Sequence, residues 1–299
     1  MTHRHPADSA PYRYDDFDPY RINVDLHCHS NISDGTLTPE GVVERAWAQG
    51  VEWLALTDHD EVRGLERADA HARKLGIGFI PGVEVSVTWA GVTVHIVGLG
   101  VDRHNEVLIA GLHRTRNGRA ERAREMADGL AKVGIDGAYE GAMKYVGNPD
   151  LISRSHFARF LVETGRCEDV HEVFERFLVE GKPGFVPHRW ARLRDAVAWI
   201  RGAGGTAVIA HPARYRLTDL EATTFLDEFI EAGGEGIEVV TSAHTAEEMR
   251  RYTKIAKEYG LKASRGSDFH SPEESRVDLG ALPAMPDALE PIWAQWGIG

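Results

Sequence analysis

The chain has 299 residues, enough for one large α/β domain or for a core with an inserted lobe. Apolar residues make up 42% and charged residues 27%, an ordinary globular balance, and no run of about 18 apolar residues exists to span a membrane. The formal charge of −12 lacks the basic excess that a broad duplex-binding face carries, which excludes duplex nucleic acid but not phosphates held through metal ions.

Residues 1–20 read as a flexible polar arm containing His3 and His5, without the hydrophobic core of a signal peptide. Two cysteines, Cys28 and Cys167, make no disulfide framework and suit a reducing compartment, so the expected location is cytoplasmic. From Arg21 a strand-helix rhythm begins. "INVDL" is a short strand. "TPEGVVERAWAQG" is a helix with Thr38 as N-cap, Pro39 at the first helical position and Gly50 as its stop. "VEWLALT" is the next strand and "EVRGLERADAHARKLG" the next helix. "IGFIPGVEVSV" and "VTVHIVGLGV" are two strands joined by a tight turn at Ala90-Gly91.

Residues 103–190 then hold helices and no clear strand: one over 114–134, one over 153–165 and one over 168–181. They read as an inserted helical lobe. Residues 21–102 and 191–299 form the body into which it is set. The alternation returns with "RLRDAVAWIRGAGG", "TAVIA", "TDLEATTFLDEFIEAGG", "GIEVV", "TAEEMRRYTKIAKEYG" and "LKASRGS". Met249, Tyr252, Ala256 and Tyr259 share one face of the last helix. Seven strands alternating with amphipathic helices predict a parallel β/α architecture. A closed or nearly closed barrel is favoured over an open sheet, because functional residues follow many strands rather than one crevice. No Gly-rich nucleotide fingerprint follows the first strand. The C-terminal "ALEPIWAQWGIG", with Trp293 and Trp296, is expected to pack on the barrel floor.

Polar residues cluster where these strands end. A period of two turns His27 and His29 to one side and Cys28 to the other, as a small core residue. "HCH" alone leaves metal binding and ordinary polar burial equally open. Strand two ends in Asp58, His59 and Asp60, strand three carries Glu84, strand four His95, strand five ends at His211, and strand seven at Asp268 and His270. An ionisable group inside an apolar strand is costly unless paired or metal-bound. The barrel brings strand ends to one face, so this constellation predicts a polynuclear metal site.

"DLHCHSNISDG", "TDHD", "GVE", "HIVG", "AHP" and "GSDFH", in that order over residues 24–270, resemble the PHP (polymerase and histidinol phosphatase) family. The helical segments "RTRNGRAERA" and "SRSHFARFLVETG" resemble its small bacterial phosphoesterases, which include 3′,5′-nucleoside bisphosphate phosphatases and 5′-to-3′ exoribonucleases. The resemblance implies a distorted seven-stranded TIM-like barrel and three divalent ions, often manganese. It gives His27, His29, Glu84 and Asp268 to one ion. Glu84 bridges to a second held by His95 and His211, and Asp34, His59 and His270 hold a third. Imidazole and carboxylate donors also suit zinc, iron or magnesium. Asp58 and Asp60 are expected to orient His59 or cap the next helix.

Such a site hydrolyses phosphate esters through a water activated between neighbouring ions. His211, Asp268 and His59 are the residues assigned to catalysis, with His211 the candidate for protonating the leaving oxygen. Arg154 and Arg214 are the expected phosphate binders, Lys182 and Arg189 weaker ones, with Ser30 and Asn31 as donors from the first loop. Arg116, Arg119, Arg122 and Arg124, interleaved with Glu121 and Glu125, read by themselves as a solvated helix face. The expected substrate is a nucleoside 3′,5′-bisphosphate, losing its 3′-phosphate. The alternatives are the 5′ end of a short single-stranded RNA and histidinol phosphate. An amino alcohol explains the arginines less well. A non-catalytic metal module or a polymerase-associated domain fits least, given the complete ligand set.

Overall fold

The computed structural model describes residues 22–298, so the N-terminal arm with His3 and His5 lies outside the described residues. Seven strands make one sheet in chain order: β1 (Val24–Asp25), β2 (Trp53–Leu56), β3 (Gly78–Trp89), β4 (Val92–Leu99), β5 (Thr206–Ile209), β6 (Gly236–Thr241) and β7 (Lys262–Gly266). β1, β2 and β3 are parallel, as are β5, β6 and β7. The sheet curls until its two ends nearly meet. Past β1, the His29 amide donates to the Phe269 carbonyl at 2.8 Å, and the Asp268 amide donates to the His27 carbonyl at 2.8 Å. Cys28 pairs with Phe269 across this seam. The result is a nearly closed seven-stranded barrel.

The parallel expectation fails at β4, which runs antiparallel to both β3 and β5. Ala90 and Gly91 both have positive φ, 48° and 83°, the signature of a two-residue type I′ hairpin, and Trp89 pairs with Val92 directly beneath it. His95 therefore reaches the site from within a reversed strand, opposite Ser86, and not from a strand end.

Helices cover the barrel where the apolar periodicity places them. Thr38 caps α1 (Pro39–Ala48), accepting the Gly41 amide at 3.1 Å, and α2 (Leu65–Leu75) stops at Gly76, φ 77°. Between β4 and β5 come α3 (Glu106–Arg116), α4 (Arg119–Ala131), α5 (Ala138–Met143), α6 (Arg154–Glu163) and α7 (Val170–Val173), the last running into a π-turn over Phe174–Leu178. Then α8 (Leu193–Gly202), α9 (Asp219–Glu231) and α10 (Ala246–Tyr259) alternate with β5, β6 and β7. Capping boxes start α9 (Thr218, Glu221) and α10 (Thr245, Glu248).

The single helix expected over 114–134 is broken at Asn117-Gly118, where Gly118 takes φ 90°. The break separates two cores. Leu108 and Leu112 of α3 join the barrel core, and Gly111 lies so close to Trp199 of α8 that a methyl group there would sit 2.4 Å from the ring. Met126, Leu130, Phe157, Leu161 and Leu178 form a second core of their own. α3 thus packs with the barrel, although it falls inside the span read from sequence as the lobe. Trp293 is buried and Trp296 packs beside it; Ile292 meets Gly236 at the start of β6, on the floor opposite the site. No helix among the described residues is long and apolar enough to cross a membrane.

Candidate metal centre

His27 and His29 project to the same side of the chain leaving β1, with ring centroids 5.1 Å apart. Cys28 turns away, its thiol donating to the Ala55 carbonyl at 3.2 Å. A first ligand group forms around the pair. His27 Nε2 lies 3.3 Å from Glu84 Oε2 and 3.5 Å from Asp268 Oδ1; His29 Nε2 lies 3.3 and 3.2 Å from the same two oxygens. The other Glu84 oxygen, Oε1, sits 3.0 Å from both His95 Nδ1 and His211 Nε2. A third group joins His29, Asp34, His59 and His270, with His270 Nε2 3.4 Å and His59 Nε2 3.8 Å from Asp34 Oδ1. Eight of the nine expected ligands fall into these groups, and the ninth, His211, reaches them only through Glu84 Oε1. Two play wider parts than expected: His29 belongs to two groups, and His59 Nδ1 also comes within 2.9 Å of Glu84 Oε2.

The residues fit divalent ions. Glu84 Oε2, Asp34 Oδ1, His29 Nδ1 and His59 Nδ1 are buried and make no hydrogen bond, so close approaches among them lack hydrogen-bond geometry. Buried donor atoms crowded in this way, without donating to one another, could hold cations. The electrostatics set charged acids against imidazoles: burial opposes charge on His27, His59 and His270, yet the neighbouring carboxylates raise all three, His59 to about 9. Burial opposes the charge on Glu84, yet His95, His59 and His27 hold its carboxyl well below the usual range. Burial likewise opposes charge on Asp34 and Asp268, which His59 and His270, and Arg214 and His27, hold well below theirs. Burial, with His270 and His59 nearby, pushes His29 down to about 3. Three carboxylates charged beside a neutral imidazole make an oxygen and nitrogen donor set without thiolate.

Backbone strain gathers here too. Of the four described non-glycine residues with φ between 27° and 55°, three are Asp60, His211 and Asp268 at the barrel mouth.

Other expected residues divide. Asp58 and Asp60 touch no ligand ring. Asp58 accepts from the Ser30 amide and hydroxyl and from the Ser33 hydroxyl, which fixes the first loop. Ser30 is therefore not a free phosphate donor: it is fully buried and its hydroxyl is used at 2.7 Å on Asp58. Asn31 is half-buried in the same loop, its amide donating to the Leu37 carbonyl. Asp60 accepts from the Ser86 amide and hydroxyl and from Arg119. Arg214 does lie at the centre, 2.6 Å from Asp268 Oδ2 with its side chain half exposed. Burial and the nearby Arg214 push His211 down to about 4, so at neutral pH it is an unprotonated imidazole, suited to ligation and unsuited to proton donation.

The arginine run is not a solvated face. Arg119 and Arg122 are buried, and Arg119 and Arg122 lie over Trp190, at 4.4 and 5.5 Å from its ring. Burial lowers the pKa of Arg122, and the positive charges of Arg154 and Arg119 lower it further, so the three guanidinium groups lie near enough to repel one another. Among the described residues, Arg122 and Arg154 have no carboxylate partner within ion-pair distance, whereas Arg119 pairs with Asp60. Arg124 is turned outward over Tyr139. Among the described residues, Lys182 and Arg189 make no polar side-chain contact that ties them to the centre.

Three further residues escape a reading of sequence. Ser153 and Ser155 at the start of α6 donate to Asp34 Oδ2 at 3.3 and 3.0 Å, which brings Arg154, between them, to the mouth. Glu238 of β6, in "GIEVV", stands behind the ligands with Oε1 2.6 Å from His27 Nδ1. Its signal was present: a carboxylate within an apolar strand, the same feature that marks Glu84.

The chain is 50% identical over 273 residues to a 3′,5′-nucleoside bisphosphate phosphatase of Chromobacterium violaceum, covering 91% of this chain and 96% of the relative. It is 40% identical over 272 residues to a 5′-3′ exoribonuclease of Haemophilus influenzae, covering 91% and 98%. A solved amidohydrolase structure from Chromobacterium violaceum, with bound sulfate and no metal, superposes with a TM-score of 0.90 at 49% identity over 92% of this chain and 96% of that one. With a PHP domain matched over residues 25–179, the chain belongs to the PHP family.

Proposed function

We propose that the chain is a metal-dependent phosphoesterase that removes the 3′-phosphate from nucleoside 3′,5′-bisphosphates. Three divalent ions are proposed, manganese first, with zinc, iron and magnesium as alternatives that this donor set accepts. One would be held by His27, His29, Glu84 and Asp268, a second by Glu84, His95 and His211, which meet at Glu84 Oε1, and a third by Asp34, His59 and His270, with His29 beside them. Bound there, such ions neutralise phosphoryl charge and make a water acidic enough to serve as nucleophile.

The observation that carries the substrate is the arginine trio. Arg119, Arg122 and Arg154 concentrate positive charge in one cluster that reaches Asp34 through Arg154, and among the described residues Arg122 and Arg154 form no ion pair. A ligand with one phosphate at the ligand cluster and another at the arginines answers both features. Arg214, beside Asp268, adds a guanidinium on the reacting side. Binding of the remote phosphate then orients the reacting one. Histidinol phosphate, with a single phosphate, leaves the arginines unmatched.

The 5′ end of a short RNA is the second reading, supported by the identity to an exoribonuclease. The chemistry is continuous with the first. In both substrates a 5′-phosphate occupies the arginines, the reacting phosphorus is on the 3′-oxygen, and that oxygen leaves. RNA merely extends beyond the reacting phosphorus.

The test is a product-release panel with adenosine 3′,5′-bisphosphate, 3′-AMP, a 5′-phosphorylated trinucleotide, the same trinucleotide with a 5′-hydroxyl, and histidinol phosphate. Substrates bearing a 5′-phosphate should lead in kcat/KM. Faster turnover of histidinol phosphate, or equal rates with and without the 5′-phosphate, overturns the reading.

A further inference from the structure

We infer that Glu238 is a positioning residue that sets the orientation of two metal ligands at once. It lies in the apolar strand β6 and is fully buried. One oxygen, Oε1, is 2.6 Å from His27 Nδ1; the other, Oε2, accepts the His211 backbone amide at 2.5 Å. The first contact places the proton of His27 on Nδ1 and leaves Nε2 to face Glu84, Asp268 and His29. An imidazole whose far nitrogen donates to a carboxylate is fixed in tautomer and ring angle and is a stronger ligand. The second contact holds the turn at His211, where φ is 27° and ψ 58°, an arrangement that needs an external partner to persist.

The strand is shaped for this task. The β6–β7 register slips between Glu238 and Val240, a bulge of the kind that re-aims a side chain. The Val239 carbonyl left by the bulge faces His244 Nδ1 at 2.9 Å, and His244 Nε2 receives the Ala213 amide. β6 thus grips the 211–213 turn twice. Glu238 belongs to none of the ligand groups, and the nitrogen it engages on His27 is the one turned away from them.

The inference rests on the metal reading and not on the substrate. In zinc-loaded protein carrying 15N-labelled histidine, His27 should show a protonated Nδ1 and a zinc-shifted Nε2. A zinc-bound Nδ1 with a protonated Nε2 overturns the assignment. Protein that takes up no zinc, manganese or cobalt overturns the metal reading instead, so the two failures are distinct. The second arm is Glu238→Gln, which keeps an acceptor for His27 but turns an amide NH2 toward the His211 amide. Metal-free variant titrated with cobalt against a chelating dye should lose about 10- to 100-fold in affinity for one ion. Its cobalt absorption band should also change, and Glu238→Asp should recover part of both. Unchanged affinity and an unchanged band in Glu238→Gln overturn the proposal. If that variant does not fold, the histidine spectrum of the unmutated protein decides alone.

Discussion

Arg154→Ala separates remote-phosphate binding from every other role of this arginine. A hydrogen bond to a charged group contributes about 1.5–3 kcal/mol. At about 1.4 kcal/mol per factor of ten, its loss should lower kcat/KM on adenosine 3′,5′-bisphosphate by roughly 10- to 150-fold. Arg119 and Arg122 stand in the same cluster and continue to hold the phosphate, so the lower half of that range is expected. 3′-AMP, without the remote phosphate, should be turned over almost as before. Stability supplies the control. Arg154 makes no ion pair among the described residues, feels Arg119 and Arg122 against Asp34, and stacks over Phe174 with its guanidinium carbon 5.4 Å from the ring centroid. Relief of the repulsion offsets the lost ring contact of about 0.5–1 kcal/mol, so the thermal midpoint should hardly move. The assay is steady-state phosphate release on both substrates beside a thermal melt. Equal losses on the two substrates would refute the reasoning and move Arg154 to the reacting phosphate. A large fall in the melting midpoint would make it a structural residue.

Three other expectations follow from the same geometry. Manganese at about one hundred times its dissociation constant should stabilise the protein by about 2.7 kcal/mol per site; a melting midpoint indifferent to both manganese and chelator would contradict the donor set. Arg159 forms a two-pronged pair with Glu274 at 2.7 and 2.8 Å, joining α6 to the loop after His270. Arg159→Met should cost about 2–3 kcal/mol in denaturant unfolding, the low side for a buried pair because water reaches Glu274, and a loss under about 0.5 kcal/mol would count against the link. His156 is held near 4, chiefly by burial, while its Nδ1 accepts the Ser153 amide at 3.0 Å. Its folded value is below the unfolded value of about 6.5, so its contribution is full above pH 6.5 and fades as pH falls toward 4. His156→Gln should flatten that part of the stability profile by about 3 kcal/mol, measured by unfolding at stepped pH; an unchanged slope would rule the titration out.

The barrel and the ligands at its strand ends were legible in strand periodicity, whereas Asp34, in the loop after His29, and the division among three ions came from the resemblance to the PHP family. His27 and His29 share a side by the period of two, and Glu84 stands out against apolar neighbours in "GVEVS". What escaped depends on contacts between distant segments. The grip of Ser153 and Ser155 on Asp34 joins residues about 120 positions apart, and serine at a helix start has a sufficient local reason to be there. The arginine helix looked solvated because its acids alternate with its bases. Only packing against Trp190 and the ion pair to Asp60 reveal that one side is buried. The break at Gly118 was readable as Asn-Gly, but the helical pattern on both sides outweighed it. Ser30 failed in the opposite sense. Its position in the first loop was right, and its hydroxyl was already committed to Asp58.

The placement of the second core between β4 and β5 also sets the order in which the centre becomes usable during synthesis. His59, Glu84 and His95 are made early and by themselves constitute one ligand group. The other two groups wait for Asp268 and His270, about 170 residues later, which is roughly 9–35 s at ribosomal rates of 5–20 residues per second. The growing chain therefore holds one three-residue ligand group, still without His211, while the intervening helices emerge and pack. The complete centre closes only when the last strand meets the first, so a chain interrupted before β7 leaves the ribosome without it.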